Sequence, residues 1–542
     1  RHKTNILKKN LNTIAAIALG MGQFVYSQEH ADIDLGSISG NTQVIAQYYN
    51  EDTLINAALP DHIMGLNSFT NVNYSRGKFN AGIRYETYLN PLEGYPSGFA
   101  GTGIGYRYAN WKNESLNITI GNFFEQFGSG TILRAYEEPN LGLNNALDGI
   151  KIKYEPYQGI NLTGLIGKQR EAFNDGLING NGIVRGFDGE IDLNTLFDST
   201  FADSKFRISI GGSRIAMRYG KVRFSGEYIL KENDPYPNPT DERFNYIYNN
   251  GEGILLNLGY STKGLGIDLS AKHNDNILWR STNVSVAPTS LLIGFLPTMS
   301  KQHTYNLAST MYPYAVNFLG EVAFQADIIY KIPKKTKIGG KYGTSININF
   351  ATAYAPNRTY LNDMDSSRKS YTSAPFDASD SAFVKDFNIE IKRKFNKKFK
   401  AALTYFNFVF DDRAILVAQK HELIYADIFV AEATYKINKH HSIRIEAQHL
   451  RTGQDRGNWA YGLIEYSISP SWFFAVMDQY NYGNSIEVER LHYPLVTGGY
   501  LQGPHRFSIQ YGKQRAGVFC VGGVCRSVPA SNGVTFTLTT SF

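Results

Sequence analysis

The chain has 542 residues, of which 42% are hydrophobic and 13% aromatic, with 36 tyrosines and 33 phenylalanines. No stretch approaches the roughly 18 to 20 consecutive apolar residues that a spanning helix needs, so a helical membrane protein is excluded. The formal net charge of +6 falls by four, to +2, once the basic residues of an N-terminal signal are removed. This balance argues against a nucleic-acid partner.

The first 27 residues are typical of a secretory signal peptide. Residues 14–20 form a short apolar core, and residues 25–27 suit a cleavage site. The basic residues that precede the core are Arg1, Lys3, Lys8 and Lys9. We predict that residues 28–542 then form a single barrel domain.

Apolar and polar side chains alternate along many segments of the remaining chain, and this is the period of a β-strand. In residues 265–272, 386–392 and 443–448 one face is apolar and the other carries charges. Tight turns alternate with long polar connections, which is typical of porins. Alternation alone does not tell inside from outside, but the signal peptide and the terminal Phe542 favour an apolar outer face.

This pattern predicts an all-β fold, a large antiparallel transmembrane β-barrel with short periplasmic turns and long extracellular loops. Strand-like segments number 20 to 24, and we favour 22, an even number that places both termini in the periplasm. Residues 206–223 are ambiguous, because Gly211 and Gly212 either separate two short strands or interrupt one.

Residues 121–149 contain the third long loop, and they resemble the porin arrangement in which this loop folds into the lumen. Glu125, Arg134, Glu137 and Glu138 are therefore candidates for a pore constriction, where charged side chains govern selectivity. The alternative is that these side chains solvate an extracellular loop.

The loops 275–318 and 355–383 must fill the lumen or leave it open. Residues 274–280 and 288–297 have an apolar content that is unusual for segments facing water. Such loops either cap the lumen or contact a partner protein, and the first alternative is favoured.

Local motifs for catalysis or for metal binding are weak throughout. No segment marks a nucleophile with a base in reach, and His440 and His441 are adjacent, so on a strand they face opposite ways. We therefore expect no enzymatic activity, no cofactor and no metal site.

The two cysteines, Cys520 and Cys525, bracket the hairpin signal Gly522-Gly523. A two-residue turn places them opposite each other as a non-hydrogen-bonded pair, a geometry that permits a disulfide. In an exported chain a structural bridge is favoured over a reactive thiol pair or a metal site.

Residues 533–542 alternate apolar and hydroxylic side chains and end on an aromatic residue. They resemble the closing strand of an outer-membrane barrel, in which Phe536, Leu538 and Phe542 would form the C-terminal assembly signal.

Residues 121–149, 339–344, 511–517 and 520–526 together resemble a Bacteroidota outer-membrane barrel family of unassigned function. The resemblance implies an integral outer-membrane location and this architecture, but it supplies no reaction, ligand or residue role.

The function expected from the sequence is porin-like, the passive or weakly selective passage of small polar solutes. Its expected partners are the lipid bilayer and the outer-membrane insertion machinery. The alternative is a non-transporting accessory barrel of a secretion, assembly or surface-lipoprotein complex, with outer-membrane protein or lipoprotein partners.

Overall fold

The computed structural model describes the residues that follow, with short gaps between the ranges. These are residues 35–96, 98–197, 207–210, 212–232, 235–236, 247–248, 250–282, 291–360, 371–411, 423–521 and 524–542. Ile38–Phe542 form one compact unit. The predicted signal peptide lies outside the described residues and stays a prediction.

Strands dominate this unit. The first twelve are β1 (Ser37–Asn50), β2 (Met64–Arg76), β3 (Phe79–Leu89), β4 (Phe99–Lys112), β5 (Leu116–Phe123), β6 (Leu147–Tyr157), β7 (Ile160–Asn174), β8 (Leu177–Asp192), β9 (Arg207–Ile210), β10 (Ser213–Tyr219), β11 (Val222–Lys231) and β12 (Gly251–Thr262). The next twelve are β13 (Leu265–Asp275), β14 (Gly320–Ile332), β15 (Thr344–Tyr360), β16 (Tyr371–Lys394), β17 (Phe399–Asp411), β18 (Leu423–Lys436), β19 (His441–Thr452), β20 (Trp459–Ile468), β21 (Trp472–Tyr480), β22 (Leu495–Gln502), β23 (His505–Gln514) and β24 (Ser531–Ser541).

The helices are short. Two α-helices of five residues each, α1 (Leu193–Phe197) and α2 (Asn306–Thr310), lie in connections, as do the 3₁₀ turns Thr53–Ile55, Pro139–Leu141 and Glu487–Glu489. In the described part of the chain, no helix has the length and apolar character needed to cross a membrane.

The strands form one antiparallel sheet that closes on itself as a barrel. Each strand pairs with the next along the chain, and β24 pairs with β1 from Asn41↔Ser541 to Asn50↔Asn532. Among the described residues the sheet has 24 strands, within the predicted range but two more than the favoured 22. The ambiguous segment forms two strands, β9 and β10, because Gly212 turns the chain with a φ of 114°.

The two ends of the barrel differ. At the turn end, where Phe542 lies, most connections are tight, such as residues 77–78, 263–264 and 503–504. At the loop end most connections are longer and include residues 124–146 and 276–319, although only two residues join β7 to β8 and β9 to β10. The predicted alternation of short turns and long loops is confirmed.

Apolar side chains cover the outer face of the barrel, whereas charged side chains line its interior. Leu403, Ile464 and Ile509 point outward and are 61%, 57% and 55% exposed. In β16 the outward Phe387 and Ile391 are exposed, while their neighbours Asp386 and Glu390 are buried inside. The predicted assignment of faces is therefore correct.

Exposed aromatic side chains form two belts on the outer face. The turn-end belt contains Trp111, Tyr260, Tyr330, Tyr435 and Trp472, and the loop-end belt contains Tyr48, Tyr85, Tyr228, Tyr425 and Tyr511. Tyr425 and Tyr435 lie ten residues apart on β18. At a rise of about 3.3 Å per residue and a tilt of about 40°, this separates the belts by about 25 Å.

The closing strand packs closely against β1. Gly40 and Phe542 exchange two backbone hydrogen bonds of 3.0 Å, and a Cβ at Gly40 would lie 2.4 Å from Cζ of Phe542. Only glycine fits beside this ring. The outward Phe536 and Leu538 pair with Ala46 and Val44, and their role as an assembly signal stays a prediction.

Strands Gly517–Val521 and Val524–Val528 form a separate hairpin in which the backbone of Cys520 lies opposite that of Cys525. The predicted register is confirmed, and the disulfide stays a prediction.

We expect that alkylation without a reductant leaves the intact mass unchanged and that two alkyl groups add after reduction. Because the closed loop is small, the entropic stabilisation is modest and local. Two alkyl groups on the unreduced mature protein would refute the bridge.

Candidate pore constriction

Two loop-end connections fold into the barrel. The first, which we call the constriction loop, comprises residues 124–146. Its Phe127 and Leu133, each 3% exposed, pack against the inner-wall residues Leu165 and Val184. The hydroxyl of Ser129 donates a 2.6 Å hydrogen bond to Glu227 on β11. The constriction loop therefore reaches from its own strands, β5 and β6, to a distant part of the wall.

Glu125, one of the predicted constriction residues, is held by two lysines of the inner wall. Its Oε2 lies 3.2 Å from Nζ of Lys151 and 2.7 Å from Nζ of Lys153. Burial alone would raise the pKa of the Glu125 carboxyl, but the hydrogen bond from Lys153 and the charges of both lysines hold it below its ordinary value. The carboxylate thus stays ionised at neutral pH.

Glu137 is held by Arg84 of β3. Nη2 of Arg84 donates a 2.8 Å hydrogen bond to Oε2 of Glu137, and Asn144 donates one of 3.0 Å to Oε1. Glu138 is half-buried, and its backbone pairs with Leu143.

Arg134 joins the constriction loop to the second inward loop. Its guanidinium carbon lies 4.3 Å from the ring centre of Tyr136 and 4.0 Å from that of Phe295. The backbone N–H of Arg134 also donates a 2.8 Å hydrogen bond to the carbonyl of Ile293. Glu125, Arg134 and Glu137 all belong to the constriction loop. Each of them contacts a different set of partners.

The second inward loop, which we call the plug loop, comprises residues 276–319, of which 283–290 lie outside the described residues. Its Leu307 is fully buried, and Met311 and Tyr312 are buried with it. They pack in one cluster with inner-wall side chains of β17 and β18, including Phe406, Phe408, Phe410, Ile424 and Ile428. In the two apolar segments named from the sequence, the described Ile277, Leu291 and Leu296 are buried as well, which agrees with the favoured alternative that these segments pack on their own barrel.

Polar contacts anchor the plug loop to the wall. His303 Nε2 lies 2.6 Å from Oδ2 of the buried Asp386, and the Leu307 N–H donates a 2.9 Å hydrogen bond to Gln448. Burial raises the pKa of the Tyr305 hydroxyl to about 12, so it remains protonated and donates to Glu390.

A buried ion pair supports the same loop at its edge. Lys272 Nζ lies 2.7 Å from Glu321 and donates a 2.7 Å hydrogen bond to the carbonyl of Pro297. The strand period placed Lys272 and Asp386 inside the barrel, but it could not show that they hold a loop.

Toward the turn end the inner wall carries charges that remain in contact with solvent. Arg223 and Asp268 form a 2.8 Å ion pair, and each side chain is 55% exposed. A cavity of about 320 Å³ is lined by Glu125, Lys153 and Asp188. The lumen on this side is therefore polar and accessible to solvent.

We next consider whether side chains that can bind a metal ion cluster in the described residues. Within the described residues, no three His, Cys, Asp or Glu side chains group as metal ligands. His440 ends the turn between β18 and β19, and His441 is the first residue of β19.

A model of a family described as a family of unknown function, DUF6029, matches residues 7–217 and 211–542. A search of curated proteins finds no match. Solved structures that resemble the chain include Pseudomonas aeruginosa OccK8 (OprE), at 7% identity and a TM-score of 0.34, covering 94% of this chain and 98% of that one. Pseudomonas aeruginosa OpdK with vanillate follows at 8% identity and a TM-score of 0.31, covering 93% and 98%. OpdQ of the same organism has 8% identity and a TM-score of 0.29, covering 94% and 96%.

Proposed function

The chain belongs to the DUF6029 family, and because that family is described as one of unknown function, we propose a function from the geometry. The chain acts as an integral outer-membrane β-barrel channel, porin-like, for passive or weakly selective passage of small polar solutes. The observation that carries this proposal is one closed barrel with an exposed apolar outer face and a charged inner face that is partly accessible to solvent.

The outer face supports placement in a membrane. The aromatic belts lie about 25 Å apart, which is the height of the apolar band of transmembrane barrels, and tyrosine and tryptophan favour the two lipid–water interfaces. Between the belts, Ile445 pairs with Ile464 and Ile464 with Val476, and all three are at least half exposed. Such a continuous apolar surface is unfavourable in water.

The interior supports a narrowed channel. A barrel of 16 to 18 strands already leaves an aqueous channel, and wider ones are usually filled in part. Here the constriction loop and the plug loop occupy part of the lumen, while the turn-end wall keeps solvent-accessible charges such as Arg223 and Asp268. In this proposal Glu125, Arg134, Glu137 and Glu138 of the constriction loop set the selectivity for passing ions.

The alternative, a non-transporting accessory barrel, rested on the length and the apolar content of the loops. Leu291, Leu292 and Leu296 are 3%, 7% and 3% exposed, because they pack within their own barrel. The apolar content of the plug loop is therefore explained by packing inside the barrel, and it does not require a docking partner.

Planar-bilayer recording tests the channel directly. We expect single-channel conductance from the purified protein, and a larger conductance when a short Gly-Ser linker replaces residues 279–316. Heat-dependent electrophoretic mobility verifies that the shortened variant is folded. Silence of both proteins at high protein load would count against a channel.

The substitution Glu137→Gln tests the constriction. It removes a negative charge opposite Arg84, so we expect the reversal potential in a KCl gradient to shift toward anion selectivity. The matched control is Glu487→Gln, which removes the same charge from the exposed 3₁₀ turn Glu487–Glu489. Equal shifts for the two variants would exclude a constriction role for Glu137 and leave the channel itself intact.

A further inference from the structure

Three consecutive turns at the turn end are strongly basic. Residues 331–342, 392–400 and 436–441 contain 13 of the 54 lysines and arginines of the chain and no aspartate or glutamate. We call these 13 side chains the basic turn patch. Its members are Lys331, Lys334, Lys335, Lys337, Lys341, Lys392, Arg393, Lys394, Lys397, Lys398, Lys400, Lys436 and Lys439.

The three turns touch one another and form a continuous surface. Lys341 and Lys394, from the first and second turns, both lie over the ring of Tyr342, at 5.9 and 5.0 Å from its centre. Lys398, from the second turn, donates a 3.2 Å hydrogen bond to the carbonyl of Ile437 in the third. The backbone N–H of Lys436 donates one of 2.8 Å back to the carbonyl of Lys398.

The charges of the patch are exposed and largely uncompensated. Every member except Arg393 is exposed. Lys331, Lys392, Lys394, Lys400 and Lys436 lie at strand ends on the lumen-facing side, so the part of the patch that can meet a lipid leaflet consists of the turn lysines Lys334, Lys335, Lys337, Lys341, Lys397, Lys398 and Lys439. Where the chain is described, Lys392 is the only member whose side chain forms an ion pair with a carboxylate, that of Glu390 at 2.8 Å. Neighbouring like charges repel each other. An anionic surface that contacts the patch relieves this repulsion and is attracted to it by Coulomb forces.

Exposed apolar side chains lie among these cations. Ile338, Phe395 and Ile437 are 67%, 48% and 41% exposed in the same three turns. They lie next to the turn-end belt, where Tyr330 and Tyr435 are exposed on the flanking strands. Apolar groups beside long cationic side chains suit a lipid headgroup layer, because the former enter the acyl boundary while the ammonium groups reach phosphates.

We propose that the basic turn patch binds the anionic headgroups of phospholipids in the leaflet at the turn end. The proposal rests on the membrane placement argued above. Phosphates of several lipids would occupy the patch together, and the exposed apolar side chains distinguish this site from one for a soluble polyanion, which needs only charge. The patch would fix the depth and tilt of β14 to β19 in the membrane.

The test uses the full chain in vesicles of phosphatidylcholine, with and without phosphatidylglycerol, and measures lipid retained on the barrel after extraction. The patch variant carries Lys334→Gln, Lys335→Gln, Lys397→Gln and Lys398→Gln. The matched control removes four exposed lysines from four other turns at the same end, through Lys78→Gln, Lys112→Gln, Lys221→Gln and Lys263→Gln. Both variants lose the same net charge.

We expect the wild-type and control proteins to retain phosphatidylglycerol in preference to phosphatidylcholine. The patch variant should lose this preference at least tenfold, since one cation near an anionic surface contributes on the order of fivefold. Equal losses in both variants would overturn the proposal, because net charge alone would then explain binding. Retention of soluble polyglutamate without a phosphatidylglycerol preference would also overturn it.

The outcomes separate this inference from the proposed function. A wild-type protein that inserts and conducts but ignores phosphatidylglycerol refutes the lipid site alone. A wild-type protein that fails to insert into either vesicle refutes the membrane placement itself.

Discussion

Replacing Arg170 with Met is expected to lower the free energy of unfolding by about 3 to 5 kcal/mol, because the buried carboxylate of Glu86 loses both hydrogen bonds from this guanidinium and keeps only the charge of Arg84, 3.7 Å away. The two side chains are 1% and 0% exposed. Nη1 and Nη2 of Arg170 donate hydrogen bonds of 2.8 and 2.7 Å to the two carboxylate oxygens, and Tyr88 donates one of 2.8 Å. The pair links β3 to β7 inside the barrel.

Urea unfolding of the vesicle-inserted protein measures this loss. The matched control is Arg223→Met, which breaks a pair of similar length whose side chains are each 55% exposed, so we expect at most about 1 kcal/mol. A double variant, Arg170→Met with Glu86→Leu, should recover much of the stability, because no charge is then left buried. Equal effects of the two arginine substitutions would contradict the assignment of a buried pair.

The fold was largely predictable, because a strand that separates lipid from water must alternate its side chains. Residues 386–392 illustrate this, since the charged Asp386 and Glu390 face inward as the period required. The 24 strands lie within the predicted range of 20 to 24, but the favoured count of 22 was two too low. Two glycines such as residues 211–212 can either interrupt one strand or separate two strands, and the composition does not distinguish these cases.

The contacts of the two inward loops were not predictable from local pattern. Arg134 packs on Phe295, which is far away in the sequence, and His303 meets Asp386 across the lumen. A charged residue in a loop does not identify its partner, because the partner depends on how the barrel closes.

One signal in the sequence could have located the plug loop. In β17 the inward side chains Phe406, Phe408 and Phe410 are apolar, so this strand is apolar on the inside as well as at outward positions such as Leu403. A strand facing lipid on one side and water on the other would not carry this pattern. Apolar residues on the inner face therefore mark the part of the wall that a folded segment covers.

Replacing Ile509 with Arg tests which face of the barrel meets lipid. Ile509 is 55% exposed on the outer face, where it pairs with Phe536 on β24 and Gly498 on β22. If the outer face is embedded, an arginine here, two residues inside the loop-end belt residue Tyr511, should lower the free energy of unfolding by about 1 to 2 kcal/mol, because the charge must leave water at a depth between the interface and the midplane.

The matched control is the adjacent Gln510→Arg, since neighbouring residues on a strand point to opposite faces. Gln510 faces the lumen and pairs there with Thr497 and Thr535, so an arginine at this position keeps its hydration and should change the free energy of unfolding by less than about 1 kcal/mol. Unfolding in urea from phosphatidylcholine vesicles measures both variants. If the protein is soluble in detergent-free buffer, an arginine that replaces the exposed Ile509 is harmless. The loss of unfolding free energy would then be equal for the two variants or larger for Gln510→Arg. That result would refute the membrane location in the proposed function.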